Sequence, residues 1–287
     1  MDVLVTGATG YIGGAVAAAL QRAGHGVHAL AHSPDAAAAI ESRGWRVAPG
    51  DLRRPAALQE LAMGMDAVVH AANVGGDDAA RIDTAATRAL LRGLEGSGRP
   101  LVYTSGAWVL GAGPSDECSV SRPAALVAWR GALEAEVLAA APGVRAVVLR
   151  PGLVYGRGGG IAGMIARGEL PVIGHGRQRW PLVHVADLAE LYVRALQAPA
   201  GSVLHGVAVT LTMGELAQLA AARGADLPPS ITLEEARARF GTFADALALD
   251  QCVSSRITRE LLDWRVRAAS PAEEFGAGSY AASQHAA

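Results

Sequence analysis

The sequence predicts an α/β chain, with a doubly wound parallel sheet over residues 1–150 and a small C-terminal substrate domain after it. Three observations carry that prediction. Short apolar runs alternate with longer helical patterns through the first half, and strands separated by helices pair in parallel through right-handed crossovers. The runs are nearly continuous in apolar residues, as in strands covered on both faces. Directly after the first run, Gly7-Ala8-Thr9-Gly10-Tyr11-Ile12-Gly13 opens a helix, the setting in which a Rossmann sheet receives a dinucleotide.

The elements follow in order. Val3-Leu4-Val5 reads as the first strand, and a helix runs from Tyr11 to Arg22, with Gly24 ending it. Val27–Ala31 is the second strand, after which Ser33 caps a helix whose first residue is Pro34. Trp45–Ala48, Asp66–His70, Leu101–Thr104 and Ala146–Leu149 supply four more strands. Helices over 81–96 and 124–140 lie among them. Past Arg150 the alternation fades: residues 151–267 form a mixed segment holding a substrate subdomain and a hinge helix over 184–196. The glycine-rich stretch 156–163 is expected to be a mobile loop, Ser202–Thr212 to be extended, and Thr232-Leu233-Glu234-Glu235 to open a helix with a capping box. Residues 268–287 are small and polar and are expected to be a flexible tail.

Composition narrows the function classes. A net charge of -2 gives no reason to expect nucleic acid or an anionic membrane surface as partner. Cys118 and Cys252 are far apart in the sequence, which argues against a disulfide framework and for a reducing compartment. The N-terminus lacks the pattern of a signal peptide and no apolar run is long enough to span a bilayer, so a cytoplasmic protein is expected. All 25 basic residues are arginine, so neither a Schiff base nor a lysine-assisted acid can form. His25, His28 and His32 are close in sequence but lack an HExxH pattern or a cysteine partner, and no metal is expected.

The glycine loop implies its ligand through physics. Gly7 suits a tight turn at positive φ, Gly10 lets backbone approach a pyrophosphate, and Gly13 lets the helix pack on the strand. Thr9, Tyr11 and Ile12 complete the loop, and N–H groups at the helix start face the phosphates. Asp51 and Leu52, after the third strand, suit an adenine amino group and ring, and the small Ala71 and Ala72 let the cofactor pass the fourth strand. The second strand ends in Ala31-His32-Ser33 without the acid that would hold a ribose 2′-hydroxyl. His32 and Ser33 can take a 2′-phosphate instead, so NADP is expected over NAD, with NAD left open.

These motifs resemble the extended short-chain dehydrogenase/reductase superfamily, also called the NAD-dependent epimerase/dehydratase family, over about residues 1–265. Besides Val5–Gly13, Gly50–Leu52 and Val69–Ala72, the likeness includes Leu101–Ser105, Arg150–Gly156 and Val183–Ala189. It implies a nicotinamide near Ser105, Arg130 and Pro151-Gly152-Leu153. The family's proton-handling set does not carry over: Gly106 stands in its Ser/Thr slot, Leu126 in its tyrosine slot and Arg130 in its lysine slot. Arg130 cannot act as an acid near neutral pH but can hold ribose hydroxyls. Ser105, Tyr155, His184 and bound water are the candidate proton donors, with Ser105, Arg130 and Tyr155 chosen as the catalytic set. Trp108, Trp129, Arg177 and Trp180 are the candidate substrate contacts, suited to a small, partly apolar molecule. The resemblance leaves a homodimer open.

The expected function is that of an NAD(P)-dependent oxidoreductase or epimerase-like enzyme with a non-standard proton donor. A non-redox isomerase, dehydratase or cyclase on the same fold is the alternative, as is a non-catalytic NADP sensor or interaction protein.

Overall fold

The computed structural model describes residues 1–222 and 228–280. The chain opens with β1 (Asp2–Thr6), α1 (Tyr11–Arg22), β2 (Gly26–Ala31), α2 (Pro34–Glu41), β3 (Arg46–Pro49), α3 (Pro55–Met63), β4 (Ala67–His70), α4 (Ala79–Leu94) and β5 (Pro100–Thr104). It continues through β6 (Gly113–Ser115), α5 (Ala128–Ala139), β7 (Arg145–Pro151), β8 (Leu153–Tyr155), α6 (Gly160–Ala166), β9 (Val172–Ile173), β10 (Arg179–His184) and α7 (Val185–Ala195). The remainder holds β11 (Val203–Gly206), β12 (Val209–Thr212), α8 (Met213–Ala221), β13 (Ser230–Ile231), α9 (Leu233–Phe240), α10 (Thr242–Leu247), β14 (Gln251–Val253), α11 (Arg256–Leu262) and α12 (Pro271–Gly276).

Seven strands form the central sheet in the order β11-β7-β5-β4-β1-β2-β3. The pairs β2–β3, β1–β2, β1–β4, β4–β5 and β5–β7 are all parallel. Val3, Leu4, Val5, Val68, Val69, Leu101, Val102, Val147 and Val148 are fully buried, as a sheet covered on both faces requires. Strand order reverses at β1: β2 and β3 lie to one side, β4 and β5 to the other. A crevice at the carboxyl ends of the strands is expected at that reversal. The predicted α/β doubly wound sheet is the observed one, and the predicted α1 matches residue for residue.

By contacts the chain divides into two interleaved compact units. The first comprises 1–105, 132–149 and 189–204; the second comprises 106–131, 150–188 and 205–287. The chain passes back to the first unit through residues 132–149 and again through the C-terminal half of α7, within the stretch 184–196 read from the sequence as a hinge helix.

The second unit carries a three-stranded sheet, β12-β10-β8, and the two-stranded pairs β13–β9 and β14–β6. Its core gathers Tyr155, Ile165, Leu170, Trp180, Met213, Leu216, Leu247, Phe275 and Tyr280. The capping box at Thr232 forms as predicted, and two more form, at Thr212–Glu215 and Ser270–Glu273.

Two expectations change here. The glycine-rich stretch 156–163 is not an unsupported loop, because α6 begins at Gly160 and the preceding turn is held by side chains. The Gly156 N–H donates to the Tyr280 hydroxyl at 2.6 Å, and the Gly158 N–H donates to Ser279 Oγ at 2.8 Å. The Tyr280 hydroxyl in turn donates to the Gly159 carbonyl at 2.8 Å. Nor are residues 268–280 a loose tail: Ser270 and Glu273 nucleate α12, which buries Phe275 and leads to buried Tyr280. The rest of the expected tail, 281–287, lies outside the described residues. Among the described residues no helix is long and apolar enough to cross a membrane.

Candidate functional site

β1 delivers the glycine loop to the crevice. Gly7 sits at φ +73°, and a Cβ there would lie 2.7 Å from Ala72 Cα. A Cβ on Gly13 would lie 2.2 Å from the Gly7 carbonyl oxygen. Only glycine lets the loop turn this sharply while α1 starts against it. The Gly10 N–H closes the turn on the Gly7 carbonyl at 2.9 Å. Gly10, the N-cap of α1, has no side chain to cap the helix, so at that position backbone faces the crevice, the arrangement that suits an anion.

Around this loop lies a cavity of about 420 Å³. It is lined by Gly7, Thr9, Gly10, Tyr11, Ile12 and Gly13, by His32, Asp51 and Leu52, and by Ala71 and Ala72. All of these were sequence candidates, and one unit brings them together. Ser33 lines a neighbouring cavity of about 450 Å³, which shares His32 and Asp51 with the first. The Ser33 hydroxyl caps α2 by accepting from the Ala36 N–H at 3.2 Å, and its own hydrogen remains available to donate.

Sequence reasoning missed Arg53 and Arg54. Arg53 lines the first cavity and Arg54 the second. Asp51 Oδ1 accepts from the Arg53 N–H at 2.9 Å, and the Arg53 guanidinium lies 3.7 Å from the same oxygen. The signal was the basic pair directly after Gly50-Asp51-Leu52. Leu30, Asn73 and Val74 complete the lining and were also missed.

Ser105 lies one residue beyond β5 and belongs to the same unit. Its N–H donates to the Leu149 carbonyl at 2.8 Å. Its Oγ is buried and has no hydrogen-bond partner among the described residues. A buried hydroxyl left unpaired costs about 1–3 kcal/mol, and Ser105 carries this one just past the carboxyl end of β5. The adjacent Thr104 hydroxyl is occupied by Tyr192 at 2.7 Å. β5 is separated from β1 only by β4, which puts Ser105 about 10 Å from the glycine loop at ordinary strand spacing.

The remaining candidates fall in the second unit. Tyr155 is 2% exposed, and its hydroxyl donates to the Ala269 carbonyl at 2.8 Å. Burial, then the carboxylates of Asp187 and Glu274, push this phenol well above its ordinary value. It is a packing residue with an occupied proton, and its catalytic assignment is withdrawn. Trp180 is 1% exposed and donates its indole N–H to the Leu247 carbonyl at 2.9 Å. It fills the core and offers no face to a substrate.

Arg130 lies over the Trp129 ring at 4.5 Å. Trp108 packs edge-on against Phe243 at 5.9 Å. Arg177 is exposed, whereas Arg179 is held by Asp250 in a two-pronged ion pair. The hydrogen bonds from Arg179 pull the Asp250 carboxyl down to about 2. Pro151, Gly152 and Leu153 lead β7 into β8, and a Cβ on Gly152 would meet the Pro181 carbonyl at 2.5 Å. His184 is buried, its Nε2 lying 3.1 Å from Glu274 Oε1.

Comparison with known proteins agrees with this geometry. The model of the NAD dependent epimerase/dehydratase family matches residues 3–207. An uncharacterised protein of Schizosaccharomyces pombe is 33% identical over 280 residues, which is 92% of this chain and 95% of that protein. A 3-diazoavenalumate denitrifying reductase of Streptomyces is 33% identical over 234 residues, covering 71% of this chain and 75% of its own. The crystal structure of human epimerase family protein SDR39U1 with NADPH superposes with a TM-score of 0.76 at 26% identity, covering 97% of this chain and 99% of that one. A central sheet ordered about β1, a glycine loop that tolerates no side chain and a match across most of the sequence place this chain in the NAD-dependent epimerase/dehydratase family.

Proposed function

We propose that this chain is an NADP-dependent reductase that passes a hydride between the nicotinamide and a small, partly apolar carbonyl or similarly polarised molecule. The observation that carries the reading is Ser105 Oγ, buried and unpaired at the sheet edge that also presents the glycine loop. The residues present fit the cofactor: the cradle around Gly7 and Gly13 would be filled by any Cβ, and the cavity beside it already has the apolar Leu52 and the acceptor Asp51. The likeness to SDR39U1, whose structure holds NADPH, and to a reductase of Streptomyces supports the same reading.

The chain's own residues divide the work. Backbone N–H groups at the start of α1 bind the pyrophosphate. Leu52 packs on the adenine and Asp51 accepts from its amino group. His32, Ser33 and Arg54 surround the cavity next to it, and together they suit a ribose 2′-phosphate. When bound, the nicotinamide supplies or accepts the hydride. Ser105 donates its hydroxyl hydrogen to the substrate oxygen and orients it. A serine hydroxyl is a poor acid, no lysine exists to sharpen one, and Tyr155 is occupied, so the net proton comes from water.

The test is transfer of deuterium from labelled NADPH to a panel of small aldehydes, enones and diazo compounds. Label in the product is expected; a bound cofactor that never loses its label rejects the reading. Ser105→Ala is expected to lower turnover about 100-fold while leaving NADPH affinity within about twofold. Unchanged turnover would remove Ser105 from the site. Arg54→Ala is expected to weaken NADPH about tenfold and NADH hardly at all, because it removes one charge-assisted contact to a single phosphate. Equal losses for both nucleotides, read by fluorescence titration, would reject the 2′-phosphate assignment.

A further inference from the structure

Under the glycine loop runs a buried chain of hydrogen bonds that the hydride-transfer reading does not use. The Ala72 N–H donates to Thr6 Oγ1 at 3.2 Å. Thr6 Oγ1 lies 2.6 Å from His70 Nδ1, and His70 Nε2 lies 2.8 Å from Asp83 Oδ1. The Tyr103 hydroxyl donates to Asp83 Oδ2 at 3.0 Å. Thr6, His70 and Asp83 are each 2% exposed or less, and all four side chains belong to the first unit.

The donors can be ordered. In the tautomer that gives the Nε2 hydrogen to Asp83, Nδ1 is an acceptor. Thr6 then gives its hydroxyl hydrogen to Nδ1 and uses a lone pair for the Ala72 N–H. Every bond then has one donor and one acceptor, which is the condition for a buried polar chain to hold a single geometry.

The placement of the two ends is what matters. His70 ends β4, and Asp83 lies in the early part of α4. Their bond therefore closes the base of the segment 71–78, and the first part of that segment, Ala71 to Val74, is one wall of the cavity. The opposite wall is the glycine loop, so close that a Cβ on Gly7 would overlap Ala72. A shift of a few tenths of an ångström in Ala72 would change the width of the groove.

We propose that His70 and Asp83, acting through Thr6, are positioning residues that preset the Ala71–Val74 wall for the nicotinamide side of the dinucleotide. This rests on the dinucleotide reading above. Neither His70 nor Asp83 lines the cavity, so their effect on binding travels through the wall alone. The adenosine side, at Asp51 and Leu52 after β3, lies across β1 from it.

The test compares two probes, NADPH and 5′-AMP, on the full chain. Asp83→Ala and Thr6→Val are each expected to weaken NADPH about tenfold, one hydrogen bond's worth, with 5′-AMP within about twofold of wild type. Asp83→Asn keeps an acceptor for His70 and Thr6→Ser keeps the hydroxyl; both are expected to restore NADPH affinity to within about threefold. Should Asp83→Ala fail to fold, the near-isosteric Thr6→Val carries the comparison. Equal weakening of both probes, no weakening of either, or no rescue by the conservative variants overturns the proposal. A wild-type chain that binds neither probe overturns the dinucleotide reading together with it.

Discussion

Gly13→Ala is expected to abolish dinucleotide binding. The added methyl would lie 2.2 Å from the Gly7 carbonyl oxygen and 2.6 Å from its carbon. Both are backbone atoms, and neither can swing aside as a long side chain would. Gly7 has little room to give, because its φ of +73° fixes the turn and the space where a Cβ would sit is already taken by the Ala71–Ala72 backbone. Relief must come from α1 moving away from β1, which carries the anion-binding turn out of place. Forced overpacking of this kind costs about 1–3 kcal/mol, equivalent to a fall of about 5 °C in melting temperature for a chain of this size. The functional loss should be larger, at least about 100-fold in NADPH affinity, since a misplaced helix end weakens every phosphate contact at once. Gly10→Ala meets only one neighbour, at 3.2 Å, and should be milder. Fluorescence titration and thermal unfolding read both effects. A Gly13→Ala chain with wild-type affinity would show that the pyrophosphate sits elsewhere.

Ending the chain at residue 268 is expected to prevent the second unit from folding. That cut removes Phe275 and Tyr280 from the core around Tyr155 and Ile165. It also strips partners from the Gly156 and Gly158 N–H groups, the Tyr155 hydroxyl and His184. Losing a buried aromatic costs about 3–5 kcal/mol, and each orphaned polar group adds about 1–3 kcal/mol. Together these approach the whole stability of an ordinary domain. Phe275→Ala alone should destabilise by about 3–5 kcal/mol in denaturant unfolding.

The same segment should make stability depend on pH. Burial alone would raise the Glu274 carboxyl, but the Ser279 hydroxyl and N–H and the His184 ring outweigh it and hold the group below its ordinary value. Its contribution is therefore fully present above the ordinary carboxylate range and is lost as pH falls through the lowered folded value. Glu274→Gln should flatten that acid limb. An unchanged acid limb would show that Glu274 gains nothing on folding.

Local pattern made the first unit legible. Each strand from β1 to β5, and β7, announces itself as an apolar run bounded by turn residues, and Gly7, Gly10 and Gly13 are read from spacing and context together. What escaped the sequence depends on packing between distant residues. Nothing in Leu-Val-Tyr-Gly says that the Tyr155 hydroxyl is spent on Ala269, more than a hundred residues away. Trp180 follows a stretch rich in arginine and glycine, which suggests an exposed binding loop, yet β10 directs its ring into the core. Residues 268–280 look dispensable because α12 is short and only Phe275 and Tyr280 stand out; their value appears once they meet Gly156–Gly159. Arg53 and Arg54 were visible as charges, but which cavity each faces is decided by the turn at Asp51. Ser105 was chosen from the family pattern, and the absence of a hydrogen-bond partner, its most telling property, has no sequence signal at all.

The chain passes between its units at 105/106, 131/132, 149/150, 188/189 and 204/205. That path has a consequence for synthesis. β11, the edge strand of the central sheet, ends at Gly206, so the sheet cannot be completed until that residue has left the ribosome. The glycine loop, made first, must wait with β4 and β5 exposed while residues 106–131 and 150–188 are translated. Domains generally fold as units during synthesis; here completion of the first unit must wait for two segments of the second. The same threading bars the cofactor half from being moved as a cassette into another gene, since no single cut separates it. The two units must be inherited, and altered, together.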